Sequence, residues 1–109
     1  MNIQFENKDL EDARKRKGKF QHVHSQIEKR LTELSEAENL EEIIRNVKGA
    51  RCHERSGKQK GIFTVDLTGN WRLLFRPEET LPPLKADGGI DVQQVTSIII
   101  IGIDDPHKR

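Results

Sequence analysis

Two alternating runs inside Gly49–Arg76 constrain this chain more than any other feature. Phe63, Val65 and Leu67 alternate with Ile62, Thr64 and Asp66, the two-residue period of a half-buried strand. After Thr68-Gly69-Asn70 the alternation resumes, with Trp71, Leu73 and Phe75 on one face and Arg72, Leu74 and Arg76 on the other. Two such runs across a Gly/Asn turn predict a β-hairpin. One face must pack a core, and the other displays two arginines, so the expected sheet faces anions. Charge in the stretch agrees: Arg51, Arg55, Lys58, Lys60, Arg72 and Arg76 stand against Glu54 and Asp66, six basic residues to two acidic. The whole chain balances 19 Lys and Arg against 18 Asp and Glu. Attraction for nucleic acid must therefore come from this local patch and not from net charge.

The rest of the chain supplies the layers around the hairpin. Asn2–Phe5 reads as a short first strand with Ile3 and Phe5 on one side. Asn7 or Asp9 caps a helix through about Lys17, broken at Gly18. Its basic end, Arg14 to Lys19, suits the negative end of the helix dipole and reads as a solvated face in preference to an RNA contact. His22 to Ala37 is a longer helix, because Val23, Ile27, Leu31 and Leu34 recur at steps of three and four. Asn39-Leu40-Glu41-Glu42 resembles a capping box opening a short helix with Leu40, Ile43, Ile44 and Val47, ended by Gly49. Arg51–Arg55 is a possible short strand before a polar turn at Ser56–Gly61. Pro77–Asp91, with three prolines and Gly88-Gly89, is an irregular excursion. Val92–Ile103 is the final strand, and the unbroken run Ile98–Ile101 places it in the middle of the sheet, covered on both faces. The order predicts one α+β domain over residues 1–109, with helices on one face of a small, mainly antiparallel sheet.

A single cysteine, Cys52, cannot form an intramolecular disulfide, which suits a reducing cytoplasm. It reads as a small buried residue, since strand neighbours such as Cys52 and His53 point to opposite faces. No apolar run approaches a membrane span, and the first residues lack an apolar signal region. The expectation is a soluble cytoplasmic protein. His22-x-His24 on a helix is a poor metal pair, and the scattered histidines give no zinc spacing, so no metal or cofactor is expected.

His53 beside the hairpin and His107 past the last strand, together with the arginines, are a sufficient kit for metal-free RNA cleavage. A base takes the 2′-hydroxyl proton, an acid protonates the leaving 5′-oxygen, and a guanidinium stabilises the phosphorane. Histidine suits both proton transfers because its ordinary pKa lies near neutrality. Asp104 and Asp105 either cap the strand's end or orient His107.

Gly49-Ala50-Arg51-Cys52-His53-Glu54, Gly57, Lys60-Gly61, Asn70-Trp71-Arg72-Leu73 and Phe75 resemble the RelE/ParE superfamily of bacterial toxins. Within it the likeness is to the HigB, or plasmid-killer-protein, branch. Ile101-Gly102-Ile103-Asp104-Asp105-Pro106-His107 is similar to that family's terminal strand and its Asp-Tyr-His signature. The resemblance implies a microbial-RNase-like α+β fold and a ribosome-dependent mRNA interferase. It also implies a cognate helix-turn-helix antitoxin (HigA-like), with operator DNA bound only through the toxin–antitoxin complex. By position His53, Arg72, Asp105 and His107 match active-site residues, and Arg51, Arg55, Lys58, Lys60 and Arg76 a phosphate-holding surface.

Two positions depart from the pattern. Ser56 stands where the family carries lysine and Pro106 where it carries tyrosine, which leaves the chemistry slower, differently selective or lost. Arg55 or Lys58 is the substitute for the missing cation. The first alternative reading is a catalytically weakened homologue acting mainly through its antitoxin in operator repression. Behind it come a ParE-like gyrase poison and a small RNA-binding domain working alone.

Overall fold

The computed structural model describes residues 1–14, 20–79 and 82–104. Strand β1 (Asn2–Phe5) leads into helix α1 (Lys8–Asp12), whose first turn is capped by the Asn7 side chain accepting from the Leu10 N–H at 3.0 Å. The helix expected to reach about Lys17 ends at Asp12, with Ala13 as its C-cap; residues 15–19 lie outside the described residues. The long helix is shorter than the pattern suggested: a 3₁₀ turn at Gln21–Val23 precedes helix α2 (His24–Glu36). Helix α3 (Leu40–Asn46) starts where Asn39 accepts from the Glu42 N–H at 3.0 Å, while the Glu42 carboxylate reaches back to the Glu38 N–H at 2.8 Å. That pair of bonds is the expected cap with its return arm shifted by one residue.

Strand β2 is only His53–Glu54, against the predicted Arg51–Arg55. Arg51 is the reason, since its φ of 47° is left-handed and cannot extend a strand. The hairpin forms as expected, from β3 (Phe63–Asp66) and β4 (Arg72–Pro77). Gly69 takes the positive φ of 57° that its turn requires, and the Trp71 N–H closes on Thr68 O at 2.9 Å.

The final strand, β5, covers Ser97–Asp104 and not Val92–Ile103. Asp91 caps a separate 3₁₀ turn at Val92–Gln94, and the following Val95 is fully buried, its carbonyl accepting from the Leu40 N–H at 3.0 Å. The sheet order is β1-β5-β4-β3-β2, so β5 lies inside the sheet, one place from its edge, and β4 is central. Ile98 and Ile100 are buried while Ile99 and Ile101 are half-exposed, so the run is covered fully on one face only. The β1–β5 pair is parallel and the other three pairs are antiparallel.

Packing follows from the alternation. Phe63, Val65, Leu73, Phe75, Ile98 and Ile100 form one sheet face and join Ile27, Leu31, Leu34, Leu40 and Ile43 of α2 and α3 in a single core. This is an α+β fold with helices on one face of a mixed, mainly antiparallel sheet. Among the described residues no helix is long and apolar enough to cross a membrane.

Candidate functional site

The face away from the helices carries the candidate chemistry. Pairing sets His53 beside Thr64, Thr64 beside Leu74, and Leu74 beside Gly102. The next row along is Asp66, Arg72 and Asp104, and on the other side of Leu74 stands Arg76, beside Ile99. Since alternate residues share a face, His53, Arg72 and Arg76 belong to one surface. Strand spacings put the Cα atoms of His53 and Arg72 roughly 12 Å apart.

Asp66 organises one end of that surface. Arg51 Nε lies 2.9 Å from Oδ2 and Arg72 Nε 3.1 Å from Oδ1, the latter an ion pair without hydrogen-bond geometry. Arg55 Nη2 lies 2.9 Å from Asp104 Oδ2, and its Nη1 donates to Gln59 at 2.9 Å. The Arg55–Asp104 bridge joins β2's end to β5 across β3 and β4. Three strand steps span roughly 14 Å before any offset along the strands. The ion pair therefore lies over the sheet face between the two strands. Thr64 beneath it is 1% exposed although it points away from the core, and its hydroxyl has no hydrogen-bond partner among the described residues.

His53 is exposed and its Nδ1 lies 2.9 Å from Arg51 O. A carbonyl only accepts, so Nδ1 is the donor here, and in the neutral ring Nε2 is then the acceptor. That is the tautomer a general base needs. Cys52, next door, is buried, and desolvation pushes its thiol up to about 12, which makes it inert as a nucleophile.

The expectation of a uniformly anion-facing sheet needs correction. Arg51, Arg55 and Arg72 each have an aspartate partner, which the charge count concealed. At the other end the ammonium groups of Lys58 and Lys60 have no ion-pair or hydrogen-bond partner among the described residues, and the Arg76 guanidinium donates only to Pro77 O, at 3.2 Å. Ser56 precedes the 3₁₀ turn Gly57–Gln59 that carries Lys58. Asp105, Pro106 and His107 lie outside the described residues, so the structure bears on them only through Asp104, the end of β5 opposite Arg72.

Sequence reasoning missed Arg30. Only 8% exposed, it donates through Nε to Asp66 O at 2.7 Å and through Nη2 to Gly49 O at 2.9 Å, and it pairs with Glu33 at 2.8 Å. It thereby ties α2 to both segments that frame the site, the turn before His53 and the end of β3. The available signal was its place three residues after Ile27 and four before Leu34, on the apolar stripe of the helix. No protein-family model matches the chain, and no curated protein matches it.

Proposed function

We propose that this chain is the toxin of a type II toxin–antitoxin pair, a HigB-like member of the RelE/ParE superfamily that cleaves mRNA on translating ribosomes in the cytoplasm. One observation supports the reading: His53, whose Nδ1 donates to Arg51 O, shares a sheet face with Arg72, and β5 brings Asp104 beside that arginine. His107 follows Asp104 by three residues in the sequence.

In this mechanism His53 Nε2 accepts the 2′-hydroxyl proton as that oxygen attacks the adjacent phosphorus. The P–O5′ bond breaks to leave a 2′,3′-cyclic phosphate, and His107 protonates the departing 5′-oxygen. Arg72 offers its Nη groups to the phosphorane while Asp66 fixes the guanidinium through Nε. Asp105 orients His107. No cofactor takes part. A helix-turn-helix antitoxin of the HigA-like kind neutralises the toxin, and the pair binds operator DNA.

Induced expression tests the proposal: the wild type arrests growth, and His107→Ala and His53→Ala do not, with unchanged circular dichroism. Undiminished arrest in both variants overturns it. A second reading, an antitoxin partner with weakened catalysis, is favoured by the pairing of Arg51, Arg55 and Arg72 with the protein's own aspartates and by Ser56 and Pro106 at the family's lysine and tyrosine positions. Wild-type expression without growth arrest, alongside antitoxin binding, would select it.

A further inference from the structure

Beyond the far end of the arginine face lies a groove of about 280 Å³ between the β3–β4 pair and the excursion after Pro77. Its walls are Ile62, Pro77, Pro82 and Ile90, and its polar groups are Lys60, Arg76 and Glu79. We propose that this groove is a nucleotide subsite that holds one base of a single-stranded RNA next to the cleavage face. The inference rests on the ribonuclease reading for the direction from which the strand arrives, and on the groove itself for what it holds.

Three features argue for a nucleotide. Arg76 belongs to both places, since it lines the groove and stands on the same sheet face as Arg72, two residues past Leu74. A strand crossing that face therefore enters the groove without turning over an edge. Second, the cations here are available: the Lys60 ammonium has no partner among the described residues, and the Arg76 guanidinium meets only a neighbouring carbonyl. A phosphate between them would gain two charge-assisted contacts without displacing a carboxylate.

Third, the apolar walls suit the face of a base. The volume falls just under the range of about 300–1,000 Å³ typical of pockets for drug-sized ligands, room for one nucleoside. Glu79, an acceptor with no proton to give when ionised, adds selectivity: it accepts from the exocyclic amine of cytosine, adenine or guanine, whereas uracil has no amine and offers it only the single N3–H. The subsite thus prefers an amino-bearing base.

Titration of the isotope-labelled protein with 2′-O-methyl trinucleotides, which cannot be cleaved by 2′-hydroxyl attack, tests this directly. Saturable amide shifts at Gly61, Ile62, Glu79 and Ile90 are expected, with cytosine or adenine binding about fivefold tighter than uracil. Glu79→Gln should erase that preference. Ile62→Asp and Ile90→Asp should each weaken binding about tenfold, the loss of one base contact. Inorganic phosphate alone should move only Lys60 and Arg76. Phosphate that binds as well as the trinucleotides, or affinity untouched by both aspartate variants, reduces the groove to an anion site and overturns the proposal. The ribonuclease reading fails separately: trinucleotide binding without growth arrest on induction supports the subsite and removes the nuclease, and arrest without binding does the reverse.

Discussion

The two ends of the basic sheet face differ in what their cations touch. At the Asp66 end, Arg51 and Arg72 are held by Asp66, and Arg55 reaches across from the turn at residues 56–61 to Asp104; Arg72 and Arg55 are only 18% and 22% exposed. At the Lys60 end, Lys58, Lys60 and Arg76 meet no carboxylate among the described residues. Pairing fixes a guanidinium in place at the expense of its net charge, and freedom keeps the charge at the expense of position. A transition state requires the first arrangement, because its stabilising groups must be placed before reaction. Capture of a phosphate backbone is served by the second, through counterion release. The contrast is the physical basis for the proposal that cleavage belongs to one end and strand binding to the other.

Arg30→Ala should break the paired end most severely. It leaves the Asp66 and Gly49 carbonyls without their donor and Glu33 without its partner, so urea denaturation should show a loss of about 3 kcal/mol. Hydrogen exchange should accelerate around Arg51–His53 and Asp66–Arg72 and stay unchanged at Gly61 and Ile62. Asp66→Asn turns the paired end into an unpaired one, and a half-buried Arg72 without its anion should cost about 2 kcal/mol in the same measurement.

Arg51→Gly separates strain from charge. Arg51 sits in left-handed backbone, which costs a side-chain-bearing residue roughly 1 kcal/mol, and its own side chain is 69% exposed, where an ion pair contributes little. Thermal denaturation should therefore find the variant as stable as the wild type or up to about 1 kcal/mol more stable, while its RNA affinity falls. Lys60→Ala should be the mildest for the fold, within about 0.5 kcal/mol. Its signature is in binding: the slope of log affinity for single-stranded RNA against log salt should shrink by about 0.7, one phosphate contact.

This division was half legible in the sequence. Strict alternation through Phe63–Phe75 fixed the hairpin and put Arg72 and Arg76 on the face opposite the core, because period two admits no other arrangement once Leu73 and Phe75 are buried. The Asn39 cap and the Val23–Leu34 stripe located α2 and α3 for similarly local reasons. What stayed hidden depends on contacts across the fold. Asp104 is 49 residues from Arg55, and Arg30 is 36 from Asp66, so no local pattern reveals either bond. The late start of β5 was hidden too, since Val92 and Val95 look like strand residues until Asp91 is seen capping a turn. Arg51 shortened β2 through a backbone angle that arginine rarely adopts.

The most direct test of the account compares primer extension on translated mRNA after induction of the wild type and of Arg72→Ala. New 5′ ends should appear within coding regions for the wild type and fall by about 10²–10³-fold for the variant, the loss expected when one transition-state donor is removed. Intact mRNA in the wild type, or equal cleavage by Arg72→Ala, would contradict the claim that this sheet face cuts RNA.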